Sequence, residues 1–231
     1  MSVTSTAVLV EACCDSVHTA RAAQAFGAGR IELCGPGDGG TTPSFGLIAR
    51  CRDELHVPLH VMIRPHTLSF VYGDDDIDVM GNDIIAARAR GADGIVLGPL
   101  HDDGSVHQEQ LAIFIALARP MKVAFHRAFD RTPSAMAALD ALLAVGVDYV
   151  LTAGHAATAL EGADTLSALQ RRAGAHLTVL AGGSIRGHNV RSMLERSGVR
   201  EVHARSTDPT IIRDVVVALS STTPLATVSS T

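Results

Sequence analysis

Cys13 and Cys34 are the side chains of this sequence best suited to a soft metal ion. Such an ion favours thiolates, and two opposed thiolates satisfy it at low coordination. Glu11 precedes Cys13 by two positions and Glu32 precedes Cys34 by two, so on extended strands each acid shares a side with its cysteine. Arg64 and His126 each end an apolar run and add a fixed cation and an imidazole, and Asp130 follows His126 by four positions. A histidine beside a carboxylate is a usable acid–base unit. Glu11, Glu32 and Arg64 are equally suited to bind and polarise an anionic substrate, one carboxylate serving as base. Near the C-terminus, Gly182-Gly183-Ser184 offers backbone N–H groups that can approach an anion, with His203 and Arg205 in the next unit. Plainer roles compete with each of these. Free cysteine often fills a core, buried acids and Arg64 can form a self-satisfied ion network, Asp130 can cap the helix after it, and Gly182–Ser184 suits an ordinary turn. Cys14, Cys51 and Met62 are read as core, and His101-Asp102-Asp103-Gly104 as a turn.

These residues are far apart in the chain, so something must gather them. A β-branched apolar run, a polar turn and an Ala-rich stretch of helical periodicity recur along the sequence. The strand candidates are Val8–Cys13, Arg30–Cys34, Leu59–Arg64, Gly94–Gly98, Lys122–His126, Tyr149–Thr152, Leu177–Gly182 and Glu201–Ala204. Eight units in 231 residues average about 29 each, enough for a strand, a helix and two short loops. The arithmetic closes on a single-domain (β/α)8 TIM barrel over residues 1–219, followed by a Ser/Thr-rich tail, 220–231, expected to be disordered. An open doubly wound sheet fits less well, because no Gly-x-Gly-x-x-Gly follows the first strand. Ser16, Asp74–Asp76 and Thr132-Pro133 mark helix starts, and Gly27, Gly91, Gly146, Gly174 and Gly198 mark helix ends.

Side chains alternate across a strand, so one parity meets the helices and the other the barrel interior. Ile31 and Leu33, Val61 and Ile63, and Val10 and Ala12 suit the helix layer. Glu11, Arg30, Glu32, His60, Arg64, Glu201 and His203 are left facing inward, and they are predicted to form one internal network. Arg30 and Glu201 begin their strands and are predicted to pair at the bottom. Cys13, Cys34, Arg64 and His126 end theirs, at the face where barrels place their chemistry.

Composition narrows the function. Hydrophobic residues are 47% and charged residues 19% of the chain, with Gly 21 and Pro 9, which is globular and neither fibrous nor disordered. A net charge of −5, two Tyr and no Trp argue against a nucleic-acid partner. The longest apolar run, Leu111–Ala118, is too short to span a bilayer, and the N-terminus lacks a signal peptide's basic region. A cytoplasmic protein with reduced thiols and no membrane partner is expected.

Seven segments, taken in order, resemble the CutC copper-homeostasis family: Glu11-Ala12-Cys13-Cys14-Asp15-Ser16, Arg30-Ile31-Glu32-Leu33-Cys34, Gly39-Gly40-Thr41-Thr42-Pro43-Ser44, Val61-Met62-Ile63-Arg64-Pro65, Phe125-His126-Arg127-Ala128-Phe129-Asp130, Leu151-Thr152-Ala153-Gly154 and Glu201-Val202-His203-Ala204. The resemblance implies a barrel, a cytoplasmic location, a homodimer and copper(I) binding, with Cys13 and Cys34 at the positions of the family's copper-binding cysteines. Three departures stand out. His66-Thr67-Leu68-Ser69-Phe70 replaces the usual Arg-Gly-Gly-Asp-Phe loop, the turn from Cys34 to Gly39 is one residue short, and the insertion after Ser206 is missing. Two functions stay open at this stage. One is a copper(I) handler; the other is a lyase, isomerase or hydrolase acting on a small anionic or phosphorylated metabolite.

Overall fold

A computed structural model describes residues 8–35, 40–206 and 208–221. Eight parallel strands close into a barrel in sequence order. They are β1 (Leu9–Cys14), β2 (Arg30–Leu33), β3 (Leu59–Met62), β4 (Gly94–Leu97), β5 (Lys122–Phe125), β6 (Tyr149–Thr152), β7 (Thr178–Gly182) and β8 (Glu201–Arg205). The helices outside them are α1 (Val17–Ala25), α2 (Phe45–Glu54), α3 (Asp74–Ala89), α4 (Gln108–Ala118), α5 (Ala135–Val145), α6 (Ala163–Ala173), α7 (Val190–Ser197) and α8 (Thr210–Ser220). The expected TIM barrel is therefore the fold. The Ser/Thr-rich stretch beyond residue 221 lies outside the described residues, and Ser220 ends α8.

The predicted parity holds. Val10, Ala12, Ile31, Leu33, Val61, Ile63 and Phe125 are buried in the large apolar layer between sheet and helices. A second, much smaller apolar cluster lies inside the barrel, where Cys34, Met62, Val96 and Ala124 meet, with Cys13 and Tyr149 against them. Most of the remaining interior is polar, unlike the Val, Ile and Leu filling of an ordinary barrel. Strand β1 brings the polar groups into register, since Glu11 stands opposite Arg30 on β2 and His203 on β8.

Local chemistry sets the helix ends. Ser16 caps α1 by accepting from the Thr19 N–H at 3.2 Å, and Asp74, Asp75 and Asp76 occupy the first turn of α3, where the helix dipole favours acids. The five expected helix-ending glycines all have positive φ. The Thr132-Pro133 start is corrected: Ser134 caps α5. Residues Arg127–Arg131 coil into a 3-10 turn that Thr132 closes, its hydroxyl donating to the Phe129 carbonyl at 2.9 Å. That turn consumes the segment a helix start needs. Four strands also stop short of their expected ends, so Cys34, Arg64, Gly98 and His126 sit just past the regular ladder while keeping its parity.

Candidate metal and ligand site at the barrel mouth

The interior polar network is built from the bottom up. Arg30 donates through Nε to Glu11 and through Nη2 to Glu201 at 2.7 Å, and its guanidinium lies 4.6 Å from the centre of the Tyr149 ring. The expected bottom ion pair is thus present. Glu11 is 1% exposed, and its other oxygen meets His203 Nδ1 at 2.7 Å. Burial alone would raise the Glu11 carboxyl, but Arg30 and His203 hold it well below the usual carboxylate range. His60 approaches the same carboxylate at 3.9 Å, yet burial keeps it neutral down to about 4.

Above this layer the two cysteines face each other. Cys13 Sγ and Cys34 Sγ are 3.6 Å apart, and Cys34 donates to Glu32 at 3.3 Å. The mutual contact splits the pair. The hydrogen-bond contact with Cys34, against the cost of burial, pulls the Cys13 thiol well below its ordinary value, while Cys34 is pushed well above. Burial and then the Cys13 charge push Glu32 up to about 8. His203 loses some basicity to burial, but Glu32, Cys13 and Glu11 raise it well above an ordinary imidazole. These shifts favour the charged form at Cys13 and His203 and the neutral form at Cys34 and Glu32. Cys13, Glu32 and His203 each offer a ligand atom, all within 4.8 Å of one another. At Gly40, where φ is +75°, a Cβ would stand 2.9 Å from Cys34 Sγ, so only glycine lets the chain pass so close to the sulfur.

These groups open into a cavity of about 420 Å³ at the C-terminal ends of the strands. Arg64, His126, Asp130, Gly183 and Arg205 also line it. Arg64 is buried, donates to the carbonyls of Gly40 and Thr67 at 3.3 Å each, and lies 4.7 Å from the centre of the Phe70 ring. Gly182 ends β7 beside His203 of β8, and Gly183, at φ +117°, turns the chain into the wall. One expected pairing is corrected. Asp130 does not serve His126; its carboxylate accepts from the Thr152 hydroxyl, from the N–H groups of Ala153 and His155, and from Arg127 Nε at 2.8 Å. It does not cap α5 either. The loop after β5 folds back on β6, and three donors there outbid a distant imidazole.

His126 is held tightly by what surrounds it. A Cβ on Gly98 would fall 2.3 Å from its ring. We expect Gly98→Ala to cost about 1–3 kcal/mol in urea unfolding, since the added methyl drives a buried ring out of its position. Phe70 and Arg186, which the sequence does not single out, also line the mouth and come from loops without periodicity, and Arg127 joins them from the 3-10 turn. The sequence reading sets His101 aside as part of a turn. The turn is there, with Gly104 at positive φ, but His101 also stacks on His107 at 3.9 Å beside Glu109.

Known proteins can now be set beside this geometry. The CutC family model matches residues 8–208. The chain belongs to the CutC family. A human copper homeostasis protein cutC homolog is 45% identical over 202 residues, covering 86% of this chain and 74% of that one. A CutC family protein of Xanthomonas axonopodis is 41% identical over 196 residues, covering 84% and 82% respectively. The structure of CutC from Streptococcus agalactiae superposes with a TM-score of 0.81 at 29% identity, covering 86% of this chain and 98% of that one. Copper homeostasis is thus the role attached to CutC relatives by name. The match spans the eight strands that build the mouth. No helix among the described residues is long and apolar enough to cross a membrane.

Proposed function

We propose that this CutC barrel binds copper(I) as cargo between Cys13 and Cys34, in the cytoplasm and as a homodimer. The observation that carries the reading is the 3.6 Å separation of the two sulfurs. A thiolate–metal bond near 2.3 Å lets two sulfurs share one ion at separations up to about 4.6 Å, so the pair needs little movement to close on it. The electrostatics also suit the cargo. Cys13 is inclined to the thiolate, and Cys34 holds its proton the more tightly of the two. Two thiolates around a monovalent ion leave one net negative charge, which the His203 imidazolium offsets nearby. Cytoplasmic reducing conditions keep both thiols free, as they are here.

Titration of the reduced protein with copper(I) under anaerobic conditions tests this. Wild type is expected to take up one equivalent. Cys13→Ser and Cys34→Ser should each weaken binding by more than the roughly 10–100-fold typical of losing a group that only supports a ligand. Unchanged affinity in the double variant overturns the reading. Sedimentation of the same sample checks the dimer.

A further inference from the structure

The copper reading leaves one side of the mouth without a task, and that side is built from donors. His126 is the N-cap of the 3-10 turn Arg127–Arg131, and its Nδ1 accepts from the Ala128 N–H at 3.2 Å. A neutral imidazole has one accepting and one donating nitrogen, so the proton sits on Nε2. Burial, and then the neighbouring Arg64 charge, keep the ring neutral to about 3. Nε2 is buried and has no hydrogen-bond partner among the described residues. An N–H stripped of water and left without an acceptor is costly, and evolved interiors rarely carry one without use.

Its surroundings say what is missing. The Phe70 ring lies 5.0 Å from the His126 ring and 4.7 Å from the Arg64 guanidinium, so one aromatic surface holds both groups in place. Arg127, Arg186 and Arg205 add positive charge around the same cavity. Two acids reach it from this rim. Asp130 is taken up by Thr152, Ala153, His155 and Arg127, and Asp15 sits half-buried past the end of β1. A metal finds no lone pair here, because the free nitrogen of His126 carries its hydrogen. The volume, about 420 Å³, falls in the range of small-molecule pockets.

We infer that the mouth holds a second binding site, separate from the cysteine pair, for a small oxyanion, a carboxylate or phosphate group, whose oxygen accepts from His126 Nε2–H beside Arg64. His126 is then a neutral donor that polarises the bound oxygen, in place of the acid–base role its residue type suggests. The site stands apart from the copper reading, since it uses none of the sulfur ligands.

Long-range proton–nitrogen NMR of the imidazoles reads the tautomer directly. His126 is expected as the neutral Nε2–H form near neutral pH. Addition of inorganic phosphate, and separately of oxalate, should shift its Nε2–H resonance saturably. The anion that does so identifies a phosphate or a carboxylate ligand. His126→Asn keeps a capping side chain and should weaken that anion's binding about tenfold or more, with copper(I) uptake unchanged. An Nδ1–H tautomer or an imidazolium in the wild type, no saturable response to either anion, or undiminished binding by the variant overturns the inference. Copper(I) titration reads only the cysteines, so the two proposals fail separately.

Discussion

Replacing Arg30 by Met is expected to lower the unfolding free energy by about 3–5 kcal/mol, the typical cost of breaking a buried ion pair from one side. Arg30 is 3% exposed and holds two carboxylates, Glu11 and Glu201, while lying against Tyr149. Methionine fills much of the same volume but leaves Glu11 charged in the closed interior with only His203 and His60 nearby. The penalty therefore comes mainly from the stranded acid. The double variant Arg30→Met, Glu11→Gln removes both charges and should recover a substantial part of the loss, so a urea double-mutant cycle should return a coupling of about 1–3 kcal/mol. Additive effects of the two substitutions would contradict a shared network.

Acidification from pH 6.5 to pH 5 should cost about 3 kcal/mol of stability, roughly 1.5 kcal/mol from each of two buried histidines. Burial holds His60 neutral to about 4 and His126 to about 3, whereas in the unfolded chain both protonate near 6.5. Across this window the unfolded state binds more protons than the folded one, so stability falls as pH falls. Cys13, lowered in the fold, and Glu32, raised to about 8, act in opposite directions. His203, raised in the fold, contributes stability that is complete below pH 6.5 and is lost on the alkaline side. Urea unfolding at several pH values checks the slope, and His126→Asn should remove about half of it. A flat profile down to pH 5 would contradict the neutral buried imidazoles.

Much of this was legible in the residue order because strands have period two. Once Ile31, Leu33, Val61 and Ile63 are assigned to the helix layer, Glu32, Cys34, His60 and Met62 have nowhere to point except inward. Closure of the sheet then brings β8 beside β1 and His203 beside Glu11. Parity says nothing about residues beyond the ladder. Asp130 lies in a turn whose path depends on Thr152, more than twenty residues later, and its true partners left no local trace. Thr132-Pro133 resembles a helix start, but its hydroxyl is already committed to the turn before it. The His126 tautomer depends on a single backbone N–H two residues ahead, a signal visible only once the local turn is known.

The bottom layer of Arg30, Glu11, Glu201 and Tyr149 has a kinetic corollary. Among the described residues it fills the bottom of the barrel, while the cavity lies on the side of Arg64, His126 and Arg205. A copper ion held at the sulfurs as proposed would arrive and depart on that side, so exchange with a donor or acceptor would require that molecule to reach down past the arginine rim. An anion seated at His126 would stand in that path, and occupancy of the upper site would then govern how fast the lower one trades its cargo.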